Sequence, residues 1–413
     1  MSTTQAAASV QPEGGPFRSL VNCDWRMLWT AGTLWNICFF AELLFLTTIA
    51  LNLTGASSQV AIVGALRFLP QAFIGLFAGL QADRLPKRRV MMVAQAFNLV
   101  STLSMTALIF AGVLAMPMVY AAALLTGIAW AIDYPVRRAY ARDLLSREQI
   151  VNAMALDAAS LEGMIMVGRV VAGLLLTLAG PKLGYAALSV LYVTGFVLLM
   201  RVRSTPVAVT EGPRPSVLHT LLVGFRAMFS NPILRGVFLV TFSANLFLYP
   251  YFSFAPVFAE RVFHIGEGLL GVMSSMDGAG ALVGASLLAA MTTVRRPGYW
   301  FALGMSVLGI AVALFAYSPN VGVAMVMLFL GGIGMGASQA MSTALPVSEA
   351  TESTRGSVMG VNMVAMGMLP FGLLWVGWLA DQIGIQAAVA INTLIAATVC
   401  AAVLATIRPL RRR

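Results

Sequence analysis

One acid and a cluster of basic residues separate two long apolar runs in the stretch Gly79-Leu-Gln-Ala-Asp83-Arg84-Leu-Pro86-Lys87-Arg88-Arg89. The preceding run covers about residues 58–82, and the following run covers about residues 90–114. An α-helix needs about 20 apolar residues to cross a bilayer. Loops rich in Lys and Arg stay on the cytoplasmic side of a membrane. The stretch therefore indicates a short cytoplasmic loop between two membrane-spanning helices.

The composition of the whole chain also favours a membrane protein. Of 413 residues, 59% are hydrophobic and 10% are charged, and the mean hydropathy is +0.86. A soluble domain carries about 25% charged residues, so the surface of this chain would be largely apolar in water. The net charge of +10 does not predict nucleic-acid binding, because the basic residues lie in short loops between apolar runs.

Twelve apolar segments follow one another along the chain, with turn-forming residues such as Gly180-Pro181 between them. Most basic residues lie at one set of segment ends, whereas the other set carries little beyond Lys182 and Arg261. This bias predicts that both termini are cytoplasmic, which requires an even number of spans. The segments cover about residues 26–52, 58–82, 90–114, 117–140, 152–180, 184–202, 234–260, 267–292, 298–317, 320–347, 355–381 and 385–407.

One long hydrophilic connection, from Val202 to Pro232, divides the spans into two groups of six. The two groups show weak internal similarity, because Asn, Arg and Asn at positions 22, 26 and 36 recur at 231, 235 and 245 with a constant offset. We predict an all-α integral membrane protein with twelve transmembrane helices in two pseudo-symmetric six-helix bundles. Its parts are a cytoplasmic N-terminal tail (1–25), an N-terminal bundle (26–202), a cytoplasmic linker (203–233), a C-terminal bundle (234–407) and a basic cytoplasmic tail (408–413).

The loop at residues 79–89 resembles the signature loop of the major facilitator superfamily, Gly-x-x-x-Asp-(Arg/Lys)-x-Gly-(Arg/Lys)-(Arg/Lys), and lies between the second and third spans as in that family. Pro86 stands where the pattern has Gly. The stretches 135–153 and Arg355-Gly-Ser-Val-Met-Gly360 are similar to the enterobactin-exporter-like branch. The resemblance covers nearly the whole chain. It implies two six-helix bundles around a central cavity, alternating access, and export of a small molecule coupled to proton entry.

The cytoplasmic loops supply the candidates for gating. A carboxylate at Asp83 could accept hydrogen bonds from the amides at the start of the eleventh span, near Arg355, and so hold the cytoplasmic side closed. In the family's geometry that span faces the second one. The alternative is that the loop charges only fix the topology. The gating candidates are Asp83, Arg84, Arg88, Arg137, Arg142 and Arg355.

Charged residues inside the spans are candidates for function, because an ionisable side chain within a bilayer is costly. Counting from the outer ends of the spans places Glu42, Arg67, Arg169 and Asp277 roughly 15 Å deep, near the midplane. We expect Glu42 to pair with Arg67 within the N-terminal half, and Arg169 to pair with Asp277 across the two halves. A pair that breaks when the halves move could couple protonation to transport, and structural ion pairing is the alternative.

Three further charged positions belong to this group. Glu162 lies seven residues before Arg169 and therefore on the same helical face. Where the branch usually has Pro, this chain has Arg169, which could bind an anionic substrate. For Asp133 and Asp157, snorkelling to the interface explains the sequence as well as a role in transport does. The candidates for proton coupling or substrate binding are Glu42, Arg67, Glu162, Arg169 and Asp277.

Polar and aromatic side chains of the spans could line a cavity. Pro250 and Pro256 bend the seventh span and free backbone carbonyls, and the aromatic residues around them could pack against an amphipathic substrate. Ordinary helix packing is an equally good interpretation. The cavity-lining candidates are Asn36, Asn245, Tyr249, Tyr251, Gln339 and Asn362.

The sequence contains no pattern typical of catalysis. His219 and His264 lie outside the spans without neighbouring metal ligands, and the phosphate-binding loop of ATPases is absent from the sequence. We expect a non-enzymatic secondary transporter of the inner or plasma membrane that uses no cofactor and no metal. Its expected partners are a small-molecule substrate, protons and the lipid bilayer, and it is expected to work as a monomer. The alternatives are an importer of the same fold and a non-transporting membrane scaffold or sensor.

Overall fold

A computed structural model describes residues 18–81, 86–204, 217–291 and 296–412 of the chain, and every regular element within them is helical. Ten helical stretches of these residues are long and apolar enough to cross a membrane. The all-α membrane fold is therefore confirmed, whereas the number of twelve spans stays a prediction. Below, the outer side is the side that the distribution of basic residues places away from the cytoplasm.

A short 3-10 helix, Arg18–Val21, precedes the first long helix. The helices before residue 204 form what we call the N-terminal half, and those from residue 232 onward form the C-terminal half. The N-terminal half contains α1 (Cys23–Thr54), α2 (Ser57–Gln81), α3 (Lys87–Ala111), α4 (Met116–Leu144) and α5 (Arg147–Arg201), and α6 (Val217–Ser230) follows. The C-terminal half contains α7 (Pro232–Ser243), α8 (Ala255–Arg261), α9 (Glu267–Met273), α10 (Met276–Ala290), α11 (Pro297–Ala316), α12 (Val321–Glu349), α13 (Arg355–Met366), α14 (Leu369–Ile383), α15 (Ile385–Thr406) and α16 (Arg408–Arg412).

Helix α5 has 55 residues and reverses direction at Gly180, whose φ of 68° and ψ of 177° lie outside the helical region. A straight helix of that length would be about 80 Å long, far more than the roughly 30 Å of bilayer hydrocarbon. Gly168, before the break, packs against Phe40 of α1. Tyr192, after the break, donates a hydrogen bond to Glu42, which also lies in α1. The predicted fifth and sixth spans are thus two antiparallel segments that meet α1 at the same level.

The first helices of the two halves begin in the same way. The side chain of Asn22 accepts a hydrogen bond from the amide of Trp25 at 3.0 Å. That of Asn231 accepts one from the amide of Ile233 at 2.9 Å. An Asn at this position satisfies a helix-terminal amide that has no partner within the helix. Two of the residues that recur at a constant offset therefore have the same local function in both halves.

Several spans of the C-terminal half are irregular. The seventh passes from α7 through a π-helical turn at Ala244–Leu248 and a 3-10 segment at Tyr249–Phe254 to α8, as the two prolines in this region predict. The eighth is interrupted between α9 and α10, and the eleventh between α13 and α14. Continuous apolar sequence concealed the interruption of the eighth span, whereas Pro370 predicts a bend in the eleventh.

The predicted linker contains a helix that its overall hydrophilic character did not indicate. Helix α6 (Val217–Ser230) lies in the second half of the linker, and it packs against α13, with Gly224 against the carbonyl of Ser357. Met228 joins a small hydrophobic cluster with Val358 and Val361. The connection between the halves is therefore attached to the C-terminal half over this helix.

The outward faces of the helices are apolar. Leu103, Phe110, Leu178, Leu314 and Trp378 are all exposed, although each lies within a long helix. Contiguous apolar surface of this kind is rare on soluble monomers. Lipid contacts account for it, because the hydrocarbon of a bilayer is as apolar as these side chains.

The two halves meet mainly where α2 packs against α14 and where α5 packs against α9 and α10. Glycines permit the closest approaches, since Gly173 of α5 lies directly against Gly271 of α9. Small residues let helix backbones approach within van der Waals distance in a membrane, where the hydrophobic effect does not drive helix association. The interface is therefore closely packed at α5 and α9.

Packing within the N-terminal half gives the first testable prediction. A Cβ atom at Gly127 of α4 would collide with the backbone carbonyl of Arg67 on α2, whereas one at Gly163 of α5 would meet nothing within 4 Å. We expect Gly127→Ala to destabilise the protein by about 1–3 kcal/mol, because the backbones must separate. Gly163→Ala serves as the matched control and is expected to be neutral or slightly stabilising, since Ala favours helix. Thermal unfolding in detergent measures both, and equal melting temperatures would contradict this packing.

Candidate functional site

The predicted ion pair within the N-terminal half is present. Arg67 Nη2 lies 3.3 Å from Glu42 Oε2, and both side chains are fully buried. The guanidinium also donates to the carbonyl of Phe39 and to the hydroxyl of Thr126, each at 2.7 Å. The hydroxyl of Tyr192 donates to the same Glu42 oxygen at 3.2 Å. This network joins α1, α2, α4 and α5, so it ties the helices of one half to each other.

The predicted ion pair across the halves is also present. Arg169 Nη1 of α5 lies 2.7 Å from Asp277 Oδ1 of α10, and it donates as well to the carbonyl of Ser274. The hydroxyl of Tyr251 donates to Asp277 Oδ2 at 2.7 Å, and the amide of Gly278 donates to Oδ1 at 2.7 Å. Both charged side chains are nearly buried, with 10% and 6% of their surface exposed.

The hydrogen bonds of this pair limit what each partner can bind. The Arg169 guanidinium already faces a carboxylate and a carbonyl. An anionic substrate at Arg169 would therefore have to displace Asp277. Asp277, in turn, accepts hydrogen bonds from three donors that come from both halves. Any movement that separates α5 from α10 breaks the charged contact and leaves a buried charge without its partner, which is costly in a low-dielectric environment.

Glu162 lies on the same face of α5 as Arg169, as predicted, but it differs from the other acids near the midplane. Its side chain is partly exposed, and within the described part of the chain it has neither an ion pair nor a hydrogen bond. It interacts electrostatically with Asp277 and Arg169, and with Tyr249 of the C-terminal half. Glu162 therefore faces the space between the halves.

The other two acids of the N-terminal spans have arginine partners. Asp133 Oδ2 lies 3.6 Å from Arg137 Nε, and Gln95 donates to Asp133 at 3.1 Å. Asp157 Oδ2 lies 3.1 Å from Arg138 Nε. Both carboxylates are buried, so neither reaches water by snorkelling. Pairing within the protein explains their presence in the spans.

The cavity-lining candidates lie in different environments. Tyr251 is buried and bonded to Asp277, and Tyr249 is partly exposed, with its hydroxyl 3.6 Å from the sulfur of Met305. Asn36 accepts from Arg137 at 3.5 Å within the N-terminal half, and Asn245 donates to the carbonyl of Thr241 at 2.9 Å. Asn362 is buried and Gln339 is partly exposed.

The gating candidates are not brought together among the described residues. Asp83 and Arg84 lie outside the described residues. Arg88 donates to the carbonyl of Met200, while Arg355 is exposed and donates to the carbonyl of Val347 at 3.2 Å. Arg142 is exposed, whereas Arg137 is buried and paired within the N-terminal half.

A polar contact between the outer ends of the halves was not predicted. The amides of Ser57 and Ser58, at the start of α2, donate to the two carboxylate oxygens of Asp381, near the end of α14, at 3.0 and 3.2 Å. Arg261 of α8 donates to the carbonyl of Gly55 and lies 3.4 Å from the hydroxyl of Ser57. We call these residues the outer contact. Two features of the sequence pointed to this contact: Asp381 lies at the end of a span, and Arg261 is one of the two basic residues on the outer side.

Two small cavities lie between the halves. The first is next to the Arg169–Asp277 pair and is also lined by Tyr251, Phe252 and Met273. The second lies between α2 and the break from α13 to α14. Its lining residues include Phe68, Gln71, Met363, Met366 and Pro370. Each cavity has walls from both halves, so movement of the halves changes its shape.

Comparison with known proteins identifies the family. The model of the Major Facilitator Superfamily matches residues 28–373. The chain is 26% identical over 361 residues to the multidrug efflux pump Tap of Mycobacterium bovis, covering 82% of this chain and 83% of that pump. It is 20% identical over 328 residues to the staphyloferrin A transporter of Staphylococcus aureus, covering 79% of this chain and 82% of that protein.

Solved transporters have the same fold at low sequence identity. A POT family transporter in complex with 5-aminolevulinic acid has a TM-score of 0.74 at 10% identity, with 95% of this chain and 96% of that chain covered. The nucleoside transporter NupG has a TM-score of 0.67 at 14% identity, covering 92% of this chain and 99% of that chain. The protein is thus a multi-pass membrane transporter and not an enzyme, and it belongs to the major facilitator superfamily.

Proposed function

We propose that the protein is a proton-coupled exporter of a small amphipathic molecule that works by alternating access. The observation that carries this proposal is the Arg169–Asp277 ion pair, which is nearly buried and joins the two halves. Protonation of Asp277 removes the charge that holds Arg169. The halves can then separate without leaving an unpaired carboxylate in a low-dielectric site. The sequence similarity to a named efflux pump supports export.

In the proposed transport cycle, the outer contact holds the outer side of the protein closed. Asp381 accepts from two amides at the start of α2, where the helix dipole also favours a negative charge. The pairing between Gly173 and Gly271 closes the same side between α5 and α9. Asp83 is proposed to have the corresponding function at the cytoplasmic ends of α2 and α13.

The proposal includes an orientation in the membrane, a cellular location and an oligomeric state. The excess of basic residues on one side supports cytoplasmic termini, with residues 26–202 and 234–407 as the two moving bundles. The inner or plasma membrane is the proposed location. The site residues of the proposal come from one chain, so we propose a functional monomer.

Coupling is tested by Asp277→Asn. Asn retains the shape of the side chain and its bond to Tyr251, but it carries no charge and binds no proton, so we expect gradient-driven flux to fall at least tenfold. Proteoliposomes with an imposed pH gradient and a pH indicator inside are given ethidium, tetraphenylborate or enterobactin in turn. Asp24→Asn, at an exposed pair with Arg203, is the matched control and should retain flux. Unchanged dependence on the gradient in Asp277→Asn would contradict the coupling.

The same assay separates the alternatives. An exporter accumulates substrate on the side from which protons leave, whereas a proton-coupled importer accumulates it on the side that protons enter. A scaffold or sensor gives no gradient-dependent flux with any probe. Either of these outcomes in the wild-type protein would replace the proposed export.

The Glu42–Arg67 pair is proposed to have a structural role within one half. Arg67→Met leaves Glu42 buried without its cation, which is expected to cost about 3–5 kcal/mol of stability. The double variant Arg67→Met/Glu42→Gln removes both charges and should regain part of that loss. Thermal unfolding of the wild type, both single variants and the double variant gives the interaction energy. Additive effects of the two substitutions would contradict direct pairing.

The outer contact is tested by the accessibility of Ser253, a buried residue beside Gly64 of α2. In a Ser253→Cys protein without its three native cysteines, we expect slow labelling by a polar maleimide. Asp381→Asn should raise the labelling rate at least threefold, because it removes the charge that binds the α2 amides. Glu260→Gln, an exposed acid near the same end, is the control. Equal labelling rates in the Asp381 variant and the control would rule out this closing function.

A further inference from the structure

The charges near the space between the halves leave one carboxylate unpaired. Arg169 pairs with Asp277, and Arg138 pairs with Asp157, so these four side chains contribute no net charge. Glu162 remains, and no cation within the described residues lies within ion-pairing distance of it. The net charge around Glu162 is therefore negative.

Glu162 lies where the packing between the halves ends. Following α5 from the outer side, Thr177 meets Gly268, Gly173 meets Gly271, and Met166 meets Gly278. One turn further on, a Cβ atom at Gly163 would meet nothing within 4 Å. The side chains from Leu161 to Val167 are all partly exposed. Glu162 thus adjoins open space directly beneath the Arg169–Asp277 pair.

One tyrosine of each half lies within electrostatic range of this carboxylate. Tyr134 of α4 and Tyr249 of the C-terminal half both interact electrostatically with Glu162, and both are partly exposed. Tyr134 stacks on Trp130 at a centroid distance of 5.2 Å, and the Arg138 guanidinium lies 4.4 Å from the centroid of the Tyr134 ring, so this ring already has a cation partner. Aromatic faces attract cations and bind apolar ring systems.

We propose that Glu162 binds the positively charged group of an organic monocation, and that the aromatic side chain of Tyr249 contacts its apolar body. The inference rests on the proposed transport function and names its substrate class. Two effects disfavour binding of an anion. The Glu162 carboxylate repels it, and the Arg169 guanidinium is already paired with Asp277. A neutral molecule would leave the Glu162 carboxylate without a partner in a partly desolvated site.

The test compares two probes of the same shape and opposite charge. Tetraphenylphosphonium and tetraphenylborate each carry four phenyl rings around one charged centre. Equilibrium binding of each radiolabelled probe is measured with the full-length protein in nanodiscs, and binding to empty nanodiscs is subtracted. We expect saturable binding of the phosphonium, and no saturable binding of the borate.

Matched variants assign the preference to Glu162. Glu162→Gln should raise the Kd for tetraphenylphosphonium at least tenfold, whereas Glu162→Asp, which retains the charge, should raise it less than Glu162→Gln does. Glu352→Gln removes an exposed carboxylate outside the space between the halves and should leave the Kd unchanged. Thermal unfolding of each variant establishes that it is folded. A Kd that is the same in the wild type and in folded Glu162→Gln would overturn the inference, as would saturable borate binding of equal affinity.

Binding needs no gradient, so the result of this experiment is independent of the result of the transport assay. Gradient-driven flux of enterobactin or tetraphenylborate, without saturable phosphonium binding, would overturn the substrate class and leave the transport function intact. Phosphonium binding that depends on Glu162, without flux of any probe, would support the site and contradict the transport function.

Discussion

The structure depends on one constraint: a charge that is buried within the bilayer must have a partner. Four acids in the described spans meet this requirement with arginines: Glu42, Asp133, Asp157 and Asp277. Three of these pairs lie within the N-terminal half, and two of them, Glu42–Arg67 and Asp157–Arg138, join different helices. The fourth, Arg169–Asp277, joins the two halves. The same physical requirement that stabilises the N-terminal half therefore also controls whether the two halves stay together.

Glycine packing makes that control possible. Gly173 and Gly271 bring α5 and α9 into direct backbone contact. Arg169 lies one helical turn from Gly173 and therefore comes within reach of Asp277. The contact involves little side-chain interdigitation, and the hydrophobic effect does not oppose its separation in lipid. Electrostatic pairing and the outer contact then supply the specific interactions that differ between a closed and an open outer side. A proton on Asp277 and a cation at Glu162 would act on neighbouring positions of this single interface.

Much of this arrangement could be predicted from the sequence, because the bilayer fixes depth. Counting residues from the span ends placed Glu42, Arg67, Arg169 and Asp277 in one layer, and both predicted pairs are present. Depth does not reveal which helix ends meet, so the contact of Asp381 with α2 was missed. The interruption between α9 and α10 was missed because Ser274 and Ser275 lie within apolar sequence. Arg137 was expected near the surface. Its burial depends on Asp133, one turn earlier on α4, and on Gly32 of α1, which only the fold brings close to Arg137.

The central claim is that the Arg169–Asp277 pair holds the two halves together. Pulsed electron paramagnetic resonance between spin labels at Lys182→Cys and Glu260→Cys, both exposed on the outer side, measures their separation directly. The account predicts one short distance in the otherwise unmodified protein, and a second, longer population when Arg169→Met is added. An unchanged distance distribution in a folded Arg169→Met protein would contradict the claim.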